Sequence, residues 1–115
     1  IASDNATFAM PETHLGMIPA AGGTQTLPRV TEISTALDIL LTGERFDSQK
    51  ALSSRIISRI VGDDQLLKHA YALADKVSNI LPEKSSALKA IFRSNERLSA
   101  TPSLSVEQRL ALINI

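Results

Sequence analysis

The sequence predicts an α/β fold in which a few short strands come before and between a larger number of helices. Short apolar runs bounded by Gly, Pro, Asp or Asn indicate strands at 1–2, 6–9 and 56–61. Longer segments with apolar residues at helical spacing indicate helices, most clearly at 32–41, 65–81 and 83–100. Both periodicities occur in one chain, and together they give the α/β class.

The first predicted helices take their bounds from proline, glycine and capping residues. A short helix is expected over 22–30, and Pro28 should end or kink it because proline lacks the N–H that a helix interior needs. Thr31 is the expected N-cap of the helix at 32–41, and Gly43 should end that helix. Its buried face is expected to hold Ile33, Ala36, Leu37, Leu40 and Leu41.

The later predicted helices are longer. Asp47 or Ser48 should cap a short helix through residue 54. The longest helix, about 65–81, follows two aspartates and should end before Pro82. Its expected buried stripe comprises Leu66, Ala70, Leu73, Val77 and Leu81. Another helix is expected at about 83–100, and a capping box at Ser105 predicts a last one.

Composition and charge exclude several classes of function. The 115 residues are 43% hydrophobic and 21% charged, which is typical of a globular domain. Twelve basic residues balance twelve acidic ones, so a nucleic-acid-binding surface over the whole chain is not expected. There is no cysteine for a disulfide or a thiolate, and no apolar run approaches the ~20 residues of a membrane span. Without a signal-peptide pattern, we expect a cytoplasmic, mitochondrial or peroxisomal protein rather than a secreted one.

The two ends of the chain lead us to expect a piece of a longer protein. The chain begins at Ile1, inside a strand-like segment, and reaches Ile115 in an apolar, helix-like segment without a stop signal. Domain ends are usually polar and solvated, and these ends are not.

The stretch FAMPETHLGMIPAAGGT at 8–24 carries the candidate site. Pro11 cannot donate to a sheet ladder, so it ends the preceding strand and leaves Glu12 at the strand's exit. An apolar turn and the small residues at 20–23 then lead to a helix start, where a ligand can approach the backbone and N–H groups favour negative charge. A carboxyl group in such a pocket can transfer protons near neutral pH. The alternative is a surface glutamate followed by a glycine-rich helix cap.

Other candidate side chains each have a simpler interpretation. A catalytic or ligand role for His14 is conceivable, although a solvated loop histidine is favoured. Glu44 and Arg45 could be an active-site pair, but a surface ion pair is favoured. Asp63 and Asp64 could be paired carboxylates, but helix capping and complementarity to the helix dipole explain them better. Because no cluster has metal-ligand spacing, no metal site is expected.

Several short motifs follow one another in a fixed order. They are PE at 11–12, LG at 15–16, IPAAGGTQ at 18–25, LPR at 27–29 and LTGERF at 41–46, with Ala51 beyond. In this register the chain resembles the enoyl-CoA hydratase/isomerase (crotonase) superfamily, well over about residues 1–81 and loosely beyond. The resemblance implies a partial crotonase-like β/α spiral core over 1–62 and a truncated C-terminal helical region over 63–115. It also implies that the chain is the C-terminal portion of a longer protein.

The resemblance implies an acyl-CoA substrate from fatty-acid or branched acyl-CoA metabolism. Coenzyme A is then part of the substrate, and no separate cofactor is expected. Glu12 would be the acid/base at the α carbon while water adds across the 2,3 double bond, and the backbone N–H of Ala20 would hold that water. The implied substrate-binding residues are Pro11, Leu15, Gly16 and Ile18.

Parts of the implied machinery lie upstream of Ile1. These are a second glutamate and both oxyanion-hole N–H groups, so an isomerase remains an alternative to a hydratase, and the segment alone should be inactive. A non-catalytic or RNA-binding scaffold on the same fold is a further alternative. At Ala20 and Arg55 most relatives have glycine. Arg55 would therefore either cost ~1 kcal/mol in a left-handed conformation or end its helix differently.

The resemblance also implies partners. As a full-length protein we expect a homotrimer or hexamer, with no membrane partner. RNA binding is not expected, because Glu83 and Glu96 interleave with the basic residues of the helix at 83–100. Lys84 and Lys89 are weak candidates for CoA phosphate contacts. Alone, the segment should be aggregation-prone or partly molten, because its few strands expose unpaired edges.

Overall fold

The computed structural model describes residues 1–19 and 21–95, in which helices outnumber strands. The strands are β1 Ala2–Ser3, β2 Thr7–Phe8, β3 Phe46–Asp47 and β4 Ile60–Val61. The α-helices are α1 Gly23–Val30, α2 Ile33–Thr42, α3 Ser48–Ser53, α4 Leu66–Ser78 and α5 Pro82–Asn95. Two 3-10 helices lie at Pro11–Leu15 and Asp63–Gln65. None of these helices is both long enough and apolar enough to cross a bilayer.

The strands form two separate pairs. Strand β1 runs parallel to β4, with Ala2 opposite Ile60. Strand β2 is antiparallel to β3, and the rings of Phe8 and Phe46 stack with centroids 5.7 Å apart. The predicted strand at 56–61 is therefore wrong in its first four residues. The N–H groups of residues 56 and 57 donate back to the carbonyl of Ala51, so the chain closes α3 before it extends.

The chain divides into two compact units, Ile1–Tyr71 and Ala72–Ile115. The division falls within α4, whereas the sequence prediction placed a boundary after residue 62, and that boundary remains a prediction. The second unit's described residues form the rest of α4 and α5. Predicted structure at 96–100 and the capping box at Ser105 lie outside the described residues.

Small side chains form the core of the first unit. Its buried apolar residues are Ala2, Ala36, Ile39 and Ala51. Two buried hydroxyls connect distant segments, because Ser48 Oγ donates to the carbonyl of Asp4 at 2.8 Å and Ser3 Oγ donates to Asp63 Oδ1 at 2.8 Å. Each donor therefore has a partner, which a buried polar group needs if it is not to cost stability.

The buried face of helix α2 was only partly predicted. Ala36 is buried as predicted and Leu40 is half-buried, whereas Ile33 and Leu41 are 69% and 70% exposed and Leu37 is also exposed. Ile39 is buried and was not predicted. Apolar residues occupy more than one side of this helix, so spacing alone did not identify the inward side. Gly43 ends α2 as predicted, with φ +60° and its N–H donating to the carbonyl of Ile39.

The junction between α1 and α2 lies one residue later than predicted. Pro28 is inside α1, which continues to Val30, so proline does not end this helix. Thr31 is the C-cap of α1 in extended conformation, and Glu32 takes the N-cap position of α2 without a capping side-chain bond. The Thr31 N–H donates to the carbonyl of Leu27. This hydrogen bond makes Thr31 part of the end of α1 rather than the start of α2.

Helix α3 begins and ends with local hydrogen bonds. Asp47 is its N-cap, as predicted, and Asp47 Oδ1 accepts from the N–H of Lys50 at 2.8 Å. Arg55 follows the helix with φ +62°, so it adopts the left-handed conformation that glycine would adopt more cheaply. The N–H groups of Arg55 and Ile56 donate to the carbonyls of Leu52 and Ala51, both at 2.9 Å. This bonding pattern is a Schellman motif.

Helix α4 is shorter than predicted. It starts at Leu66 after a 3-10 turn and ends at Ser78, where Ser78 Oγ and Asn79 Nδ2 both donate to the carbonyl of Asp75. Its predicted stripe is half-buried at its start, while Val77 is exposed. Leu81 lies beyond the helix and is exposed as well. Pro82 is the first residue of α5, a position that suits its fixed φ and missing N–H.

Candidate active site

Glu12 lies in the first turn of the 3-10 helix Pro11–Leu15. Met10 precedes this helix, and Pro11 is its first residue. The three residues after Glu12, residues 13–15, are therefore helical as well. Gly16 ends the turn with φ +69°, and its N–H donates to the carbonyl of Thr13 at 3.1 Å. The short helix fixes the backbone from which the glutamate side chain projects.

One oxygen of the Glu12 carboxylate is buried. The side chain is half-buried, and Glu12 Oε2 is buried without a hydrogen-bond partner among the described residues. Thr13 Oγ1 is buried and unpartnered in the same sense. Leaving a buried polar oxygen unpaired costs about 1–3 kcal/mol, so such an atom is a place where a water molecule or a ligand donor fits.

Apolar side chains follow Glu12 and are open to solvent. Leu15 and Ile18 are 68% and 77% exposed, and Met17 is exposed between them. Pro11 and Gly16 are exposed too. These are the residues that the sequence analysis placed in the substrate site, and as substrate contacts they remain predictions.

Residues before and after the 3-10 helix Pro11–Leu15 both approach the beginning of α1. A Cβ atom placed on Gly23 would overlap the terminal methyl of Met10 and lie 3.1 Å from Pro19 Cβ. Gly22 precedes the helix with φ +93°, which favours glycine. Ala20 lies outside the described residues, so its predicted N–H role remains a prediction.

His14 contacts the end of α2. A Cβ on Gly43 would lie 3.2 Å from His14 Nε2 and 3.3 Å from the carbonyl oxygen of Met10. The imidazole therefore covers the backbone of a buried glycine while staying largely exposed. This contact gives His14 a packing role between the 3-10 helix and α2.

The remaining candidate pairs do not form a second site. Glu44 and Arg45 are exposed and make no ion pair within residues 1–19 and 21–95, so the predicted surface pair is wrong. Asp63 accepts from Ser3, and Asp64 Oδ2 accepts from the Gln65 side chain. Neither makes a capping bond, so the capping prediction is wrong, but both lie in the first turn of the 3-10 helix Asp63–Gln65, where acidic side chains suit the helix dipole. The described residues hold no group of three or more His, Cys, Asp or Glu side chains that could bind a metal ion.

Comparison with a family model and with known proteins shows which proteins this chain is similar to. The model described as enoyl-CoA hydratase/isomerase matches residues 1–112. The chain belongs to this family. Carnitinyl-CoA dehydratase of Proteus mirabilis is 40% identical over 99 residues, covering 86% of this chain and 38% of the relative. A Rhizobium meliloti protein named "Probable enoyl-CoA hydratase" is 40% identical over 111 residues, covering 96% of this chain and 43% of the relative.

Solved structures of the family share the fold. Enoyl-CoA hydratase from Bacillus anthracis matches with a TM-score of 0.92 and 27% identity, over 96% of this chain and 43% of that one. A Thermobifida fusca protein solved in complex with CoA matches equally well, with a TM-score of 0.92 and 27% identity over 97% of this chain and 44% of that one. The crotonase fold is therefore confirmed. The chain spans less than half the length of these relatives, and its predicted C-terminal position remains a prediction.

Two features of the site were not predicted from the sequence. The small residues at 20–23 predicted that a ligand could approach the backbone closely. Nothing in the sequence indicated that the Met10 side chain of the same chain would approach the backbone at Gly23. The buried hydroxyl of Thr13 was also missed. A threonine in a polar PETH run is typical of a solvated turn, and only the packing of the 3-10 helix buries its oxygen.

Proposed function

We propose that the protein carrying this chain is an enoyl-CoA hydratase-type lyase in which Glu12 is the acid/base at the α carbon. Family membership and relatives named as a hydratase and a carnitinyl-CoA dehydratase support this reaction class. The Thermobifida fusca complex supports an acyl-CoA substrate. Coenzyme A is then part of the substrate, and no separate cofactor takes part.

The observation that carries the proposal is the buried, unpartnered Glu12 Oε2. A carboxylate that served only as a solvated surface charge would expose its oxygens, and one that served the fold would bond to a protein donor. This oxygen does neither within the described residues. An unpaired oxygen of this kind supports a role in which a substrate or a water molecule supplies the missing hydrogen-bond donor.

The chemistry assigned to Glu12 is one proton transfer. In hydration, a hydroxyl from water bonds to C3, and the C2 carbon takes a proton as the double bond is lost. Protonated Glu12 gives that proton to C2, and the second carboxylate at C3 takes the proton that water loses, so the enzyme gives up one proton and gains one. Dehydration is the reverse, with Glu12 removing the C2 proton while the C3 hydroxyl leaves as water. A positioned acid/base group contributes about 10²–10⁴-fold to such a step.

The rest of the machinery belongs to the longer protein. Two N–H donors are needed to stabilise the enolate-like thioester oxygen, and a second carboxylate is needed at C3 for hydration. The two N–H donors and the second carboxylate are all proposed to lie outside this chain, so the 115 residues alone are proposed to be inactive. Without the C3 carboxylate the same Glu12 chemistry would move a double bond, which is the isomerase alternative. The full-length protein is proposed to assemble as a trimer or hexamer.

The test uses a protein of the relatives' length that contains this sequence. Hydration of crotonyl-CoA is followed by loss of enoyl absorbance, and dehydration of carnitinyl-CoA by its gain. Glu12→Gln keeps the side chain's size and removes its acid, so kcat should fall about 10²–10⁴-fold while CoA binding stays within a few-fold. Glu44→Gln changes an exposed glutamate and should leave kcat unchanged.

Three results would overturn parts of this assignment. An unchanged rate in Glu12→Gln removes the acid/base role of that residue. Conversion of a 3-enoyl-CoA to a 2-enoyl-CoA with no hydration of crotonyl-CoA selects the isomerase. No turnover of any acyl-CoA, combined with salt-dependent RNA binding, selects the scaffold alternative.

A further inference from the structure

A cleft on the first unit is lined by none of the described residues of the stretch 8–24 that carries Glu12. It has a volume of about 560 Å³ and is formed by the end of α1, the start of α2 and the second half of α3. This volume falls in the range of small-molecule sites, which run from about 300 to 1,000 Å³. Helix α1 has eight residues and is therefore about 12 Å long, so the cleft and the Gly22–Gly23 turn lie at its opposite ends.

Three cationic side chains line this cleft. They belong to Arg29, Lys50 and Arg55, and Glu32 is the one carboxylate among the described residues of its wall. None of the three cations forms an ion pair within residues 1–19 and 21–95. Arg29 donates to the carbonyl and side-chain oxygens of Gln25, both neutral groups. The local charge is therefore positive although the whole chain is neutral.

Hydrogen-bond donors supplement the charge. The N–H groups of Ile33, Ser34 and Thr35 have no acceptor among the described residues, and the first bond of α2 is made by Ala36. Ile33 and Thr35 line the cleft together with the hydroxyl-bearing residues Thr31, Ser53 and Ser54. Cations and N–H donors are the groups that bind phosphate oxygens.

The position of Arg55 adds a separate observation. It has φ +62° at the end of α3, where glycine would fit at lower cost. A non-glycine residue in such a conformation is a reason to look for a function of its side chain. Here that side chain lines the cleft.

We propose that this cleft binds the phosphate group of a small organic phosphate, at a site separate from the one that holds the thioester. The three cations neutralise the phosphate, the start of α2 supplies N–H donors, and the threonine and serine hydroxyls contact the polar body of the ligand. Its volume of about 560 Å³ and the chain's zero net charge suit a small anion rather than a long polyanion.

Calorimetry with inorganic pyrophosphate tests this site. The titrated protein has the relatives' length, contains this sequence and is already saturated with CoA, so the substrate's own phosphates are in place. One pyrophosphate per chain should bind at low ionic strength. Lys50→Gln should weaken binding about five- to tenfold by removing a charged donor, and Glu32→Gln should strengthen it by removing repulsion.

The matched control is Lys68→Gln, which neutralises an exposed lysine on α4 that does not line the cleft. It should change the affinity less than twofold. The proposal is overturned if pyrophosphate does not bind, or if Lys68→Gln weakens binding as much as Lys50→Gln does. It is also overturned if pyrophosphate binds the CoA-free protein but not the CoA-saturated one, since the cleft would then belong to the substrate site.

Discussion

The terminal methyl of Met10 occupies the space that a side chain on Gly23 would need. A Cβ placed on Gly23 would overlap Met10 Cε and lie 3.1 Å from Pro19 Cβ. Met10 stands two residues before Glu12, and Gly23 is the first residue of α1. The contact therefore places the Met10 side chain, just before the 3-10 helix that carries Glu12, against the first residue of α1.

Gly23→Ala should force Met10 to move. The methyl group overpacks this contact, and overpacking typically costs about 1–3 kcal/mol, less what alanine gains over glycine in a helix. We expect a net loss of about 1 kcal/mol in the free energy of unfolding, measured by urea denaturation.

Shortening Met10 isolates this contact. In the Met10→Ala background, Gly23→Ala should cost at least about 0.5 kcal/mol less, a coupling typical of residues in contact. Purely additive effects of the two substitutions would show that Met10 and Gly23 do not restrain each other.

Arg55→Gly should stabilise the protein. The residue has φ +62°, and the Schellman bonds of Arg55 and Ile56 use backbone atoms that glycine keeps. Relief of the left-handed conformation is worth about 1 kcal/mol, seen as a higher urea midpoint with an unchanged slope.

Two further variants separate backbone strain from the loss of a charge. Arg55→Ala removes the charge but keeps a Cβ, so it should not give the gain. Arg59→Gly changes an exposed arginine without a positive φ and should be neutral or destabilising. Equal stabilisation by Arg55→Ala and Arg55→Gly would identify charge repulsion instead.

The sequence predicted element types better than it predicted which faces are buried. Asp47 and Gly43 act through local hydrogen bonds and φ preferences, so their roles as N-cap and helix end were correctly predicted from single residues. Burial depends on distant segments. Ile33, Ala36 and Leu41 all satisfied the helical spacing of α2, yet only Ala36 of these three is buried. Ile39 is buried as well, and α2 packs against the 3-10 helix Pro11–Leu15 and α1.

The candidate site shows the same division. Glu12 was chosen as the candidate acid/base because the PE motif belongs to an ordered set of short motifs that resembles one family. The match to the family model confirmed that the chain belongs to this family. The burial of Glu12 Oε2 and the contact of His14 with Gly43 depend on how the 3-10 helix packs. The cleft lined by Arg29, Lys50 and Arg55 joins residues from three helices, so no local pattern could have revealed it.

Gly43→Ala should destabilise the protein more than Gly16→Ala. Both glycines have left-handed φ, +60° and +69°, so each alanine costs about 1–2 kcal/mol in backbone conformation. At Gly43 the added Cβ also meets His14 Nε2 at 3.2 Å and the carbonyl of Met10 at 3.3 Å, whereas nothing lies within 4 Å at Gly16.

The difference between these two glycines measures packing at the end of α2. We expect Gly43→Ala to lower the free energy of unfolding by about 1 kcal/mol more than Gly16→Ala does. His14→Ala should recover only part of that difference, because the Met10 carbonyl is backbone and cannot move aside as a side chain can. Equal losses at the two glycines would show that the His14 contact with α2 contributes nothing to stability.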